Sequence, residues 1–171
     1  EALRMGVDIE LLRQWLKSYD HNKITIGVVA SHSSLQILHG ARLEGFRTLG
    51  IAVGENRRKI YSAFPGADPD EWLMLDSYRE MLDHAEWFRE NNVIIIPHGS
   101  LVEYLGSTNF KSLQVPTFGN RGILHWESSR ERQRQWLEKG GCSMPKVIDD
   151  PHEIDGPVIV KYAGAKGGEG Y

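Results

Sequence analysis

Polar residues that can bind an anion follow the first apolar run of the chain. The run spans residues 24–29, the polar turn Ser-His-Ser-Ser spans residues 31–34, and an apolar helical stripe begins at Leu35. Such a turn presents hydroxyls, an imidazole and free backbone N–H groups at a helix N-terminus, which suits a phosphate monoester. The alternative interpretation is that Ser31 or Ser33 simply caps the helix.

Two further turns repeat this pattern. The buried run at residues 93–96 ends in Pro-His-Gly-Ser at 97–100, before a short helix that ends at Gly106. A shorter strand at 115–120 is followed by Asn120-Arg121-Gly122. Strands that alternate with helices predict an α/β fold with a parallel sheet and right-handed crossovers. The turns at 31–34, 97–100 and 119–122 should then meet at the carboxyl edge of that sheet, where such folds bind small molecules.

The remaining elements frame these turns. We predict helices at 8–19 (capped by Asp8), at 77–90 (capped by Asp76 or Ser77) and at 126–139, and a Gly45 cap after the helix that follows residue 34. Strands are predicted at 48–53, 60–64, 72–75, 144–148 and 157–161. The basic triplet at 57–59 either reaches a phosphate or lies on a solvated face, and the second is the commoner outcome for a short charge run.

The last predicted strand ends in a lysine and runs into a glycine-rich loop. Lys161 is followed by four glycines among residues 162–170, without the spacing of a P-loop. Such a loop can fold over nucleotide phosphates, with backbone N–H groups and the lysine offsetting their charge. The alternative is a flexible linker that contains a surface lysine.

Composition excludes several classes of protein. The 171 residues carry a formal net charge of −3, which gives no strong attraction to nucleic acid or to anionic membranes. Cys142 is the only cysteine, so an internal disulfide is impossible and a reducing compartment fits. Without an apolar run of membrane length or a signal segment, we expect a cytoplasmic protein. Because the chain ends inside a glycine-rich segment, we expect it to be part of something longer.

Four segments resemble one known family along nearly the whole chain. They are SHSSLQILHGARLEGF, PHGS, PTFGNRGILHWE and DGPVIVKYAGAKGGEGY, and in order and spacing they resemble the archaeal 5-formaminoimidazole-4-carboxamide ribonucleotide (FAICAR) synthetases. Pro145-Lys146, placed before the strand that ends at Lys161, also resembles the start of an ATP-grasp nucleotide domain. The resemblance implies an N-terminal helix at 1–22, a Rossmann-like pre-ATP-grasp domain at 23–125, and a linking helix with the start of an ATP-grasp domain at 126–171.

The implied activity is an ATP-dependent carbon–nitrogen ligase of purine biosynthesis. Such an enzyme formylates aminoimidazole carboxamide ribonucleotide (AICAR) with formate through formyl phosphate, using ATP and Mg²⁺ or Mn²⁺. The resemblance also implies a homo-oligomer, with a hexamer as the expected assembly. Two alternatives remain open: another ATP-grasp ligase with a different acceptor, or a non-catalytic nucleotide-binding paralogue. Metal ligands further along the chain would distinguish a ligase from a binding module.

The resemblance also implies particular binding residues. His32 and Ser100 match the positions that contact AICAR, and Ser31 and Ser33 join them on the helix N-terminus argument. No catalytic residue is assigned, and the metal ligands of the family are expected outside this chain. The ATP-binding residues are expected to be Lys146, Lys161, Gly164, Lys166, Gly167 and Gly168.

Overall fold

The computed structural model describes residues 8–123, 126 and 129–160. The chain divides into two compact units, Glu1–Gly122 and Ile123–Tyr171. The first unit contains a parallel sheet, and the described part of the second includes the α-helix Arg130–Lys139 and the 3₁₀ turn Pro151–Glu153. Among the described residues, no helix is long and apolar enough to cross a membrane.

Four parallel strands form the sheet of the first unit, as the alternating pattern predicts. They are β1 (Thr25–Val29), β2 (Arg47–Val53), β3 (Glu71–Leu75) and β4 (Val93–Ile95), in the spatial order β3-β2-β1-β4. Thr25 pairs with Arg47 on one side and with Val93 on the other. The predicted strand at 115–120 is reduced to a single parallel bridge between Ile95 and Thr117.

The helices of the first unit precede, connect or follow these strands. They are α1 (Ile9–Ser18), α2 (Ser34–Leu43), α3 (Glu55–Ser62), α4 (Ala85–Glu90), α5 (Gly99–Leu105) and α6 (Ser107–Ser112). The second unit contains the helix Arg130–Lys139, and 3₁₀ turns occupy His21–Lys23, Tyr78–Leu82 and Pro151–Glu153.

The predicted helix caps are partly confirmed. Asp8 accepts a hydrogen bond from the Glu10 N–H at 3.0 Å, and Ser77 forms a reciprocal capping box with Glu80. Gly45 follows α2 with a φ of +80°, a conformation that favours glycine.

The prediction that Ser31 or Ser33 caps α2 is wrong. The Ser34 hydroxyl closes this turn instead, because it donates to the Ser31 carbonyl oxygen at 2.6 Å and accepts from the Ser31 N–H at 3.1 Å. Ser33 occupies the N-cap position, but its side chain makes no capping bond.

Three predicted elements differ in the structure. Residues 60–64 are not a strand, because 60–62 end α3, a charged helix supported by the Glu55–Arg58 ion pair at 2.8 Å. The helix predicted at 77–90 is split into a 3₁₀ turn and α4. The helix predicted at 126–139 begins at Arg130, because Ser129 is extended and its hydroxyl accepts from the Arg132 N–H.

The strands predicted at 144–148 and 157–161 are not formed in the described residues. Residues 144–148 and 157–160 have no regular structure, and Lys161 lies outside the described residues. Ile159 and Val160 are 82% and 76% exposed. An apolar run becomes a strand only when another segment satisfies its backbone hydrogen bonds, and no described segment pairs with these two runs.

The core lies on both faces of the sheet. Fully buried side chains come from the strands and from the helices packed on them, among them Val28, Ile51, Ile95, Leu38, Phe88, Leu101 and Phe110. Gly27 in β1 is required by this packing, because a Cβ there would lie 2.8 Å from Val93 Cγ1 and 2.9 Å from Ile95 Cδ1. The core therefore fixes the ends of β1 and β4 beside each other.

Candidate functional site

Two of the predicted polar turns lie at the same edge of the sheet. Residues 31–34 follow β1 and residues 97–100 follow β4, and these strands are parallel neighbours. His98 Nε2 lies 3.0 Å from the carbonyl oxygen of Val29, the last residue of β1. This contact joins the two turns directly, at the edge where parallel α/β sheets bind ligands.

The His98 ring has a defined hydrogen-bonding state. Because its Nε2 partner is a carbonyl oxygen, Nε2 carries the proton and Nδ1 is left as an acceptor. Nδ1 is buried and has no hydrogen-bond partner among the described residues. Burial lowers the pKa of His98, the bond to Val29 opposes this, and positive charge on His32 lowers it further. His98 therefore offers a neutral imidazole with an unused acceptor.

The β1 turn contains a second unpartnered polar atom. Ser31 is 1% exposed, and its Oγ makes no hydrogen bond to any residue in the described part of the chain. A hydroxyl without a partner is costly in a folded interior, by about 1–3 kcal/mol, unless a ligand or water completes it. His32 is exposed, and Ser33 and Ser100 are half-buried. The turn therefore presents groups that can meet a polar ligand.

Arg57 extends from α3 across this edge. Its Nη1 donates to the carbonyl oxygen of Ala30 at 2.9 Å and to the Tyr104 hydroxyl at 3.0 Å. Its guanidinium carbon also lies 4.9 Å from the centre of the Tyr104 ring. Burial lowers the pKa of Arg57, but the bond to Tyr104 and the nearby tyrosines raise it by more, so the group stays charged.

Sequence reasoning found the basic triplet at 57–59 but could not separate its members. In the structure Arg57 reaches the sheet edge, whereas Arg58 turns away to pair with Glu55. Position indicates only that the triplet begins near the carboxyl edge, because the first turn of a helix that follows a parallel strand lies there, and both Arg57 and Arg58 belong to that turn. Tyr104, which was not predicted as a site residue, stacks on Tyr78 with ring centres 4.9 Å apart and forms an aromatic wall beside Arg57.

The third predicted turn contributes a structural arginine. Arg121 donates to the carbonyl oxygens of Leu113 and Val115 and to Thr117 Oγ1, and its guanidinium lies over the Phe110 ring. Burial lowers the pKa of Arg121 to about 10, so it remains charged at neutral pH. Its side chain is thus occupied with closing the loop after α6.

Most of the predicted ATP-binding residues lie outside the described residues. These are Lys161, Gly164, Lys166, Gly167 and Gly168. Lys146 is described, and it is an exposed residue in an irregular segment. Within the described part of the chain, no group of three or more His, Cys, Asp or Glu side chains is placed to hold a metal ion.

Comparison with known proteins gives close relatives among archaeal enzymes. The chain is 60% identical over 158 residues to the "5-formaminoimidazole-4-carboxamide-1-(beta)-D-ribofuranosyl 5'-monophosphate synthetase" of Methanosarcina acetivorans, and 58% identical to that of Methanosarcina barkeri. Each match covers 92% of this chain and 44% of the relative. The synthetase of Archaeoglobus fulgidus is 46% identical over 98% of this chain and 46% of its own length. The chain thus spans less than half the length of these curated relatives.

Among solved structures, the chain is similar to the phosphoribosylaminoimidazole carboxylase ATPase subunit of Aquifex aeolicus. The TM-score is 0.47 at 17% identity, with 72% of this chain and 33% of the other covered. The sequence resemblance to the FAICAR synthetases is confirmed by the archaeal relatives. A family model described as "Protein of unknown function (DUF1246)" matches residues 26–148, and the chain belongs to that family.

Proposed function

We propose that the intact protein is an ATP- and formate-dependent ligase that converts AICAR to FAICAR in purine biosynthesis. The identity of 58–60% to synthetases named for this product supports the proposal most directly. The sheet edge supports it independently, because a purine precursor carries a phosphate, hydroxyls and amide groups. Unpartnered Ser31 Oγ and His98 Nδ1 provide a donor and an acceptor for such groups.

The AICAR site would be formed by the first unit. His32, Ser100, Ser31 and Ser33 are the proposed contacts, and all four belong to turns at the carboxyl edge of β1 and β4. The pre-ATP-grasp domain would span residues 23–125, after an N-terminal helix within residues 1–22.

The ATP site would begin in residues 126–171. Its proposed residues are Lys146, Lys161, Gly164, Lys166, Gly167 and Gly168. Lysine ammonium groups and glycine backbone N–H groups would offset phosphate charge there. Because the described residues hold no metal cluster, the ligands for Mg²⁺ or Mn²⁺ would be residues outside them.

The chemistry explains why three substrates must be held together. Formate is a poor acyl donor, and phosphorylation by ATP gives formyl phosphate, whose phosphate is a good leaving group. The weakly nucleophilic AICAR amine then attacks the formyl carbonyl, and phosphate leaves. The protein's contribution would be to position the reactants, to neutralise phosphate charge and to keep water from the anhydride.

A phosphate-release assay on the intact protein tests the proposal. We expect release of inorganic phosphate from ATP to need both formate and AICAR for sustained turnover, with FAICAR formed in equal amount. Turnover without AICAR, or with another acceptor in its place, would contradict the proposed reaction. We further propose a cytoplasmic homo-oligomer, with a hexamer as the assembly that light scattering should detect.

A further inference from the structure

We propose that Arg57 recognises the phosphate of the ribonucleotide substrate and makes the site selective for a nucleoside monophosphate over its nucleoside. This inference rests on the proposed function and assigns one residue to one part of the substrate. Among the described residues, Arg57 is the cation whose hydrogen bonds tie it to the β1 edge, through Ala30.

The position of the guanidinium is fixed by two neighbours. Its Nη1 bonds to the Ala30 carbonyl, one residue before the 31–34 turn, and to the Tyr104 hydroxyl on α5. α5 is also the helix that carries Ser100. Arg57 is therefore bonded to the residue that precedes the first turn and to the helix that begins at the second turn.

The hydrogen-bonding capacity of Arg57 is not used up. A guanidinium has five N–H donors, and only Nη1 has acceptors among the described residues. Nε and Nη2 are left to form the paired, parallel hydrogen bonds that guanidinium makes with phosphate oxygens.

The charge of Arg57 is also uncompensated. The described residues give it no carboxylate partner, whereas the adjacent Arg58 is paired with Glu55 by two bonds of 3.0 and 2.8 Å. Arg57 is half-buried against the Tyr104 ring, where a charge is less screened than on an open surface. An anion is the ligand that this environment favours.

Binding of AICAR and of its nucleoside, which lacks the 5′-phosphate, tests this role in the intact protein by calorimetry. Wild-type protein should prefer the monophosphate, and Arg57→Gln should reduce that preference roughly 10- to 100-fold, the effect of losing charge-assisted hydrogen bonds. Nucleoside affinity should change little. The matched control is Arg58→Gln, which removes the same charge from the next residue and should leave the preference unchanged.

The other outcomes distinguish a failure of this inference from a failure of the proposed function. If Arg57→Gln weakens both ligands equally, the residue only supports the turn and the inference is wrong. If wild-type protein binds AICAR and the variant keeps its preference, only this inference fails. If wild-type protein binds neither ligand, the proposed function fails and the inference fails with it. Arg57→Met keeps the long stem against Tyr104 and provides the same test if the glutamine variant does not fold.

Discussion

The His98 ring donates a hydrogen bond of 3.0 Å to the carbonyl oxygen of Val29 and so ties the turn after β4 to the end of β1. The bond spans 69 positions of sequence and joins two turns whose separate patterns predict ligand contacts. It also fixes the ring tautomer, which leaves Nδ1 as a buried acceptor. One histidine thus sets both the geometry of this edge and part of its chemistry.

The pH dependence of stability should report on His98. The pKa of His98 in the folded protein lies below the ordinary value of 6.5. Above that pH the ring is neutral in both the folded and the unfolded chain, so it adds no pH dependence to stability. Below pH 6.5 the His98 ring binds a proton more readily in the unfolded chain than in the folded chain. The free energy of unfolding therefore decreases as the pH decreases. His98→Gln, which keeps an N–H donor, should flatten this decline in the range below pH 6.5. Urea titrations across that range measure it, and an unchanged slope would contradict the assignment.

His32 should contribute to substrate binding and little to stability. It is exposed and follows the buried Ser31, so removing its ring disturbs no core contact. His32→Ala should weaken AICAR binding by about 1–3 kcal/mol, the scale for losing a hydrogen bond to a charged or buried partner. Calorimetry on the intact protein checks this, with His21→Ala, an exposed histidine before β1, as the control. Equal affinity in the two variants would remove His32 from the site.

The strands of the sheet and their parallel pairing were predictable from sequence, but their spatial order and the reach of individual side chains were not. β1, β2 and β4 are short apolar runs separated by helical patterns, and these features are local. Whether Arg57 or Arg58 reaches the edge depends on how α3 packs, which no local pattern contains. The Ser34 hydroxyl closes the β1 turn because of backbone geometry that the Ser-His-Ser-Ser composition does not specify.

The predicted strands at 144–148 and 157–161 mark another limit of sequence reasoning. An apolar β-branched run indicates that a segment can form a strand, whereas pairing needs a second segment. Val158, Ile159 and Val160 are exposed and have no such partner in the described residues. Arg121 illustrates the same limit at the third turn, where it folds back on carbonyl groups that only the tertiary structure brings within reach.

Removing Arg121 should destabilise the first unit. Arg121→Met would leave the buried carbonyl groups of Leu113 and Val115 without this donor and would lose the contact with the Phe110 ring. We expect a loss of about 2–4 kcal/mol in the free energy of unfolding. Urea denaturation measures it against Arg13→Met, whose exposed ion pair with Glu10 should be worth less than about 1 kcal/mol. Similar losses in both variants would show that the hydrogen bonds and the ring contact of Arg121 contribute little to the free energy of unfolding.

Acid sensitivity should depend on Asp70. Its Oδ2 accepts hydrogen bonds from the Thr48 N–H and hydroxyl, both at 2.8 Å, and Arg42 lies 3.2 Å from its Oδ1. Burial raises the pKa of Asp70, but these bonds and charges lower it by more, so the net shift is downward. The stabilisation is therefore present above the unfolded pKa and is lost as pH falls through the folded pKa. Asp70→Asn should cost about 1 kcal/mol at pH 7 and less at pH 3. A variant equally destabilised at both values, or no more destabilised than Asp83→Asn, would contradict this.

Packing at Gly27 should tolerate no side chain. A Cβ at this position would lie 2.8 Å from Val93 Cγ1 and 2.9 Å from Ile95 Cδ1, closer than carbon atoms approach without displacement. Because both neighbours are fully buried in β4, they have little room to move. Gly27→Ala should therefore lower the free energy of unfolding by about 1–3 kcal/mol and push β4 away from β1. The matched control is Gly40→Ala in α2, where a Cβ meets no atom of the described residues within 4 Å, so the substitution should stabilise the helix by about 0.5–1 kcal/mol. Denaturation curves for the two variants should move in opposite directions. Unchanged stability in Gly27→Ala would contradict the tight packing of β1 against β4, which is the packing that places His98 against the end of β1.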